Sequence, residues 1–374
     1  MAILRATCTF GLESLLKYEM EQMGYQVNLE NGYAECNGET KDIAKLNLGL
    51  RTADRVYIVL AEFSASTFDS LFEGVKAISW GDHLPQDAFI HVNGRSVKSA
   101  LHSVPACQSI VKKAIIEAMS VHYKSQVFPE TGNRYRIETV INKDIASILL
   151  DTSGEGLHKR GYRPYTSLAP LKETLAAAII MFTRWKPQYP FADPMCGSGT
   201  IPIEAAMIAA NIAPGLTRNF ASESWGDDWY QAFVDERADA HARIIPFEGT
   251  LVASDIDADS IRHAKHNANR AGVGAMIDFE QRDLLEFTHS GHGGVIVCNP
   301  PYGERMDGGN DELTVFYKNM GNIFGQLDNW EYAVITAYEE FEKAFGRKSD
   351  KNRKLYNGNI KCYMYQYFMK KEKK

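Results

Sequence analysis

From residue 191 to residue 336, short apolar stretches alternate with helical ones, and few folds accommodate that rhythm. Strand-like text covers Phe191–Met195, Thr250–Asp255, Ile277–Gln281, Gly294–Asn299 and Tyr332–Thr336. Between them the helix period runs over Ile201–Ala210, Asp259–Ala271 and Glu312–Gln326. Apolar strands separated by helices build parallel βαβ units, because a parallel neighbour can be reached only by a crossover. The expectation is an α/β region on a doubly wound sheet. The end of the chain differs: Lys354–Asn357 and Lys361–Phe368 flank Asn357-Gly358-Asn359, which predicts an antiparallel hairpin. Residues 213–248, with Trp225-Gly226-Asp227-Asp228-Trp229, interrupt the second βα connection and read as an insertion with no assignable contact.

The first 150 residues carry a different, α+β pattern of short elements. Strands are expected at Ile3–Thr9, Val56–Phe63, Ala88–Asn93, Tyr135–Asn142 and Ile145–Asp151, and helices at Gly11–Met23, Phe68–Ile78 and Ala106–His122. A chain of 374 residues has room for two or three domains. Gly154, Gly156, Gly161 and Pro164 crowd the join between the halves and suggest a linker. Its cations, including Lys159, Arg160 and Arg163, would lie between two domains, where a ligand could bridge them; a plain surface connection is the alternative.

Composition narrows the function. No apolar run approaches the ~20 residues that span a bilayer. The N-terminus lacks a basic segment followed by an apolar core. Six cysteines without a CxxC pair argue against a zinc site or a disulfide scaffold. A reducing cytoplasm, no membrane and no metal are therefore expected. The net charge of −6 hides two basic stretches. Between Asp87 and Glu117 there is no acid, but Arg95, Lys98, Lys112 and Lys113 are present; residues 343–374 hold 11 basic and 2 acidic residues. A polyanion could dock there; a solvated face with a frayed basic tail is the alternative.

Three strand ends carry chemistry. Asp193-Pro194-Met195-Cys196-Gly197-Ser198-Gly199-Thr200 opens a helix, and its glycines permit a sharp turn and close ligand approach. A dinucleotide fingerprint would place a third Gly at position 202, which is Pro202, and its acid ~20 residues on, whereas Asp255 lies 58 residues beyond Gly197. Asp255, at the next strand end, is placed to accept from ribose hydroxyls, with Asp257 as a helix cap. Asp283, after Gln281-Arg282, could accept from an adenine amine or cap a helix. Asn299-Pro300-Pro301-Tyr302-Gly303 follows an apolar strand. Its prolines stiffen the backbone and remove donors, leaving carbonyls, an Asn amide and an aromatic ring: a set suited to an exocyclic amine.

These motifs resemble the class I S-adenosylmethionine-dependent amino methyltransferases. With Ala169-Pro170-Leu171-Lys172-Glu173-Thr174 and His158-Lys159-Arg160-Gly161-Tyr162-Arg163, the chain is similar to the THUMP-domain RNA guanine-N2 methyltransferases, among them bacterial 23S rRNA enzymes. The resemblance implies a ferredoxin-like domain at 1–55, a THUMP RNA-binding domain at 56–155, a linker at 156–170, and a Rossmann-like class I methyltransferase domain at 171–374. It also implies that Asp193, Gly197 and Gly199 line the methionine part of S-adenosylmethionine, with Met195, Cys196, Thr200 and Asn299 among the other cofactor-binding residues. Asp255 would hold the ribose and Asp283 the adenine. Thr166, Leu168, Pro170 and Lys172 would lie over the cofactor, while Asn299, Pro300 and Tyr302 hold the target base. Arg95, Lys98, Lys112, Lys113, Lys159, Arg160 and Arg163 are the candidate RNA contacts. The expected activity is methyl transfer to guanosine N2, most naturally in 23S rRNA. A tRNA guanosine-N2 or adenine-N6 enzyme, a non-catalytic RNA-binding assembly factor and a nicotinamide oxidoreductase are the alternatives.

Overall fold

The computed structural model describes residues 1–164, 171–288, 293–301, 309–327 and 329–369. Two seven-stranded sheets organise it. The first is built from β1 (Ala2–Cys8), α1 (Glu13–Gln22), β2 (Asn28–Glu30), β3 (Tyr33–Gly38), α2 (Thr40–Gly49), β4 (Ala53–Ser64), α3 (Phe68–Lys76), β5 (Phe89–Val97), α4 (Val104–Tyr123), β6 (Arg134–Asn142) and β7 (Ile145–Asp151). Its strand order is β2-β3-β1-β4-β7-β6-β5. The long β4 pairs antiparallel with β1 along one edge and with β7 along the other. The boundary expected between residues 55 and 56 thus falls inside a strand, and the sheet is continuous across it.

The second sheet comprises α5 (Glu173–Thr183), β8 (Phe191–Asp193), α6 (Thr200–Ala209), α7 (Asp227–Ala242), β9 (Leu251–Asp255), α8 (Ala258–Arg270), β10 (Asp278–Gln281), β11 (Gly294–Cys298), α9 (Gly309–Phe324), β12 (Trp330–Thr336), α10 (Phe341–Phe345), β13 (Lys351–Asn357) and β14 (Ile360–Tyr367). The order β10-β9-β8-β11-β12-β14-β13 is parallel through β12; β14 is antiparallel to β12 and forms the terminal hairpin with β13. β8 is shorter than the apolar text suggested, because Pro194 has no N–H for the ladder.

The β2–β3 hairpin, α2, α5 and α7 were absent from the expected elements. β2 is three exposed residues without an apolar signal. α2 is announced only by a capping box between Glu39 and Asp42. α5 is apolar on every side and almost wholly buried, so it shows no amphipathic period. α7 lies in the insertion and packs on α2. The insertion also places Trp225 in a stack on Tyr135, with ring centroids 4.9 Å apart. It therefore straps the two halves together. One apolar core runs from Leu4 to Met364 through both sheets, and a second lies under α9 and α10. Among the described residues no helix is long and apolar enough to cross a membrane.

Candidate active site

The second sheet reverses its strand order at β8, whose neighbours are β9 and β11. Ligands of open α/β sheets bind at such a switch point, beyond the carboxyl ends of the strands. There the structure opens a cleft of about 750 Å³, lined by Asp193, Asp255, Asp283 and Asn299 from four consecutive strand ends. Met195, Cys196, Gly197 and Thr200 also line it.

Backbone geometry holds the first loop. Gly197 and Gly199 have φ of +52° and +85°, a region that disfavours other residues. A Cβ on Gly199 would lie 3.0 Å from the Ala264 Cβ, so this glycine lets α6 approach α8; at Gly197 a Cβ would project into open space. The Met195 amide donates to Asp193 Oδ1 at 3.2 Å, the Gly197 amide to Asp255 Oδ2 at 2.8 Å, and Asn267 Nδ2 to the Ser198 carbonyl at 2.9 Å. The Asp257 amide donates to the other Asp255 oxygen at 3.0 Å, so the Asp255 carboxylate is oriented from both sides. Asp257 itself caps α8. Asp283 accepts from the Leu285 amide at 2.9 Å and caps a short turn while still lining the cleft.

Asp193 is only 1% exposed, and its Oδ2 has no partner among the described residues. Burial pushes its pKa well above the usual carboxylate range, and Asp255 adds to the shift. A cationic ligand would relieve both penalties. The cleft wall agrees: Asp193, Asp255, Asp283, Asp311 and Glu312 line it, with no Lys, Arg or His among the described lining residues. Such a cleft suits a sulfonium and opposes a pyrophosphate, which counts against the nicotinamide alternative.

Asn299 and Pro301, just after β11, line the cleft, whereas Pro300 between them is buried and is not among the lining residues. Tyr317 Oη donates to the Pro301 carbonyl at 2.9 Å and bonds Thr336 Oγ1 at 2.8 Å, which pins the turn to α9 and β12. Tyr302, like Thr166, Leu168 and Pro170, lies outside the described residues. Lys172 stands at the start of α5, next to Leu171 in the cleft wall, and its amide donates to Asn357 Oδ1 at 3.3 Å. The far wall was not foreseen. Glu312, Val315, Phe316 and Asn319 line the cleft from α9. Their spacing of three, four and seven marks one helix face. Burial raises the Cys196 and Cys298 thiols well above their ordinary value, so neither is a poised nucleophile.

The candidate RNA contacts divide. Arg95, Lys98, Lys113 and Lys159 are exposed, although Lys159 pairs with Glu155. Lys112 is tied down by the Ile90 carbonyl at 3.2 Å and Glu130 at 2.7 Å. Arg160 and Arg163 need correction, since both are internal. Arg160 is 2% exposed and donates to the Leu157 and Arg51 carbonyls at 2.7 and 2.5 Å, with Glu204 at 3.5 Å. Tyr162 Oη donates to the same Glu204 oxygen at 3.1 Å. Arg163 donates to the Leu171 carbonyl at 2.9 Å and Thr200 Oγ1 at 2.7 Å, and pairs with Glu173 at 3.1 Å. Arg51 reaches across to the Ile212 carbonyl at 2.8 Å, while its amide and that of Thr52 donate to Glu19. Of the linker cations, Arg160 lies between the two halves, where Arg51 of the first and Glu204 of the second hold it; the partners of Arg163 are all in the second half. His158 is half-buried near Lys172, Arg160 and Lys159, and its pKa is pushed down to about 4, chiefly by desolvation and then by these cations.

Comparison with known proteins matches this arrangement. Residues 4–57 match the RlmL ferredoxin-like domain, 65–151 the THUMP domain, and 160–366 the RMKL-like methyltransferase domain. The chain is 47% identical to the Bacillus subtilis protein named "Putative RNA methyltransferase YpsC", covering 98% of this chain and 96% of that one. A Listeria monocytogenes structure described as a "predicted N6-adenine-specific DNA methylase" superposes with a TM-score of 0.93 at 45% identity, covering 99% of this chain and 96% of that one. The structure of "SMU.472, a putative methyltransferase complexed with SAH" superposes with a TM-score of 0.92 at 40% identity, covering 100% and 99%. From its first strand to its terminal hairpin, the chain belongs to the THUMP-domain RNA methyltransferase family.

Proposed function

We propose that this protein methylates the exocyclic N2 of a guanosine in RNA, with 23S rRNA as the substrate and S-adenosylmethionine as the methyl donor. The observation that carries the reading is the pairing of an acid-lined cleft, with its orphaned Asp193 oxygen, and the Asn299-Pro300-Pro301 turn on its rim. The SAH bound by the neighbour SMU.472 supports the donor. The RlmL-type domain and the relative's name support RNA. When bound, S-adenosylmethionine supplies an electrophilic methyl group on a sulfonium. Asp193, Gly197 and Gly199 would hold its methionine part, Asp255 its ribose and Asp283 its adenine.

The remaining work falls to the rim. The Asn299 amide oxygen and the Pro300 carbonyl accept the two amino hydrogens of the base, which turns the nitrogen lone pair toward the cleft. Catalysis then comes from positioning and electrostatics. Unstacking the base costs a few kcal/mol, and stacking on Tyr302 would return ~1–3 kcal/mol. Asn299→Ala should lower turnover by about 10²–10³-fold while calorimetry still shows cofactor binding. Normal turnover in that variant would refute the mechanism. Nucleoside mass spectrometry of rRNA and tRNA from a strain lacking the gene identifies the base. Loss of N2-methylguanosine from 23S rRNA is expected; loss of N6-methyladenosine instead would overturn the guanine assignment.

A further inference from the structure

We propose that the terminal hairpin is a stacking platform for single-stranded RNA beside the cleft, an inference that rests on the RNA-methylation reading above. Across β13 and β14, Lys354 lies directly opposite Tyr363 and Tyr356 opposite Lys361. Residues opposite each other, and residues two apart on one strand, share a face. The four side chains therefore form a checkerboard of two lysines and two tyrosines, while Leu355, Asn357 and Cys362 on the other face are buried. Lys354 Nζ lies 5.4 Å from the Tyr356 ring centre, and Lys361 Nζ lies 5.7 Å from that of Tyr363. Both lysines are exposed and both rings half-exposed. Lys361 also meets the exposed Glu339 at 3.0 Å, a surface pair worth little in water.

The position fits the task. Tyr363 pairs with Thr336, the last residue of β12, so the checkerboard sits at the same end of the sheet as Asn299. β12 alone separates β14 from β11, which puts the β14 half of the platform about 10 Å from the catalytic turn and the β13 half about 15 Å from it. The hairpin end is also fastened to the cleft wall, through the bond from the Lys172 amide to Asn357. Charge complementarity selects the occupant. The cleft offers carboxylates and no cation among its described lining residues, so it repels phosphates. The backbone of a strand whose base enters the cleft must be held outside it, where Lys354 and Lys361 stand. Half-exposed tyrosine rings, each with a mobile lysine side chain over it that a base can displace, favour unpaired bases, whose own faces are free, over duplex.

The test uses the full chain and a fluorescently labelled short single-stranded RNA, free or annealed to its complement, in an anisotropy titration at several salt concentrations. Wild type should bind the single strand more tightly than the duplex. Tyr356→Ser should weaken single-strand binding roughly 5- to 150-fold, the equivalent of the ~1–3 kcal/mol of one stacked base. Lys354→Ser should reduce the log–log salt slope by about 0.7. Unchanged calorimetric binding of S-adenosylmethionine would show that both variants are folded. Wild-type affinity and slope in both variants would overturn the platform and leave the RNA reading standing. A wild-type chain that binds neither oligonucleotide would overturn both.

Discussion

Replacing Arg160 with methionine distinguishes an internal brace from an RNA contact. The side chain is 2% exposed and donates to two backbone carbonyls at 2.7 and 2.5 Å, while Glu204 at 3.5 Å is wholly buried. The variant leaves the Arg51 and Leu157 carbonyls short of a donor and, among the described residues, the Glu204 carboxylate with Tyr162 as its remaining hydrogen-bond donor. Breaking a buried pair on one side costs about 3–5 kcal/mol, since it strands the other charge. At ~2.1 cal/mol/K of unfolding entropy per residue, 374 residues carry roughly 0.8 kcal/mol/K, so the melting temperature should fall by about 4–6 °C. Scanning calorimetry of the cofactor-free chain measures it. Adding Glu204→Leu should recover part of the loss, because an apolar pair removes the stranded charge. A full-height melting temperature in Arg160→Met, combined with weakened RNA binding, would refute the brace and restore the cation to the RNA surface.

Two further outcomes test the cofactor loop. Burial holds the Asp193 pKa above its unfolded value, so the carboxyl stabilises the fold at acid pH, and that contribution is lost as pH rises through the folded pKa. Asp193→Asn should therefore raise the melting temperature of the cofactor-free protein at pH 8 more than at pH 5, yet weaken S-adenosylmethionine binding. A lower melting temperature at both pH values would contradict the desolvated-carboxyl account. Gly199→Ala forces a side chain into φ +85° and against Ala264; it should cost about 1–2 kcal/mol and reduce cofactor affinity by calorimetry, and wild-type values of both would show the loop adapts.

The chain order of residues was enough to read most of the parallel sheet, because β8, β9 and β11 are apolar runs that each end at a polar turn residue: Asp193, Asp255 and Asn299. Local spacing also announced the hairpin, since Asn357-Gly358-Asn359 has the backbone freedom its turn needs. Elements without a period stayed hidden, namely the uniformly apolar α5 and the polar, three-residue β2. The fate of a charge was hidden too. Arg160, Arg163 and Lys159 lie within five residues of one another and look alike in the text, yet two are buried and one is exposed. Burial is set by what packs over a segment, and here that is α6 and the insertion, which begin about 40 and 50 residues later in the chain. Asp193 and the α9 wall make the same point. A sequence names the carboxylate and the helix face, but only the packed sheet removes water from one and turns the other toward the cleft.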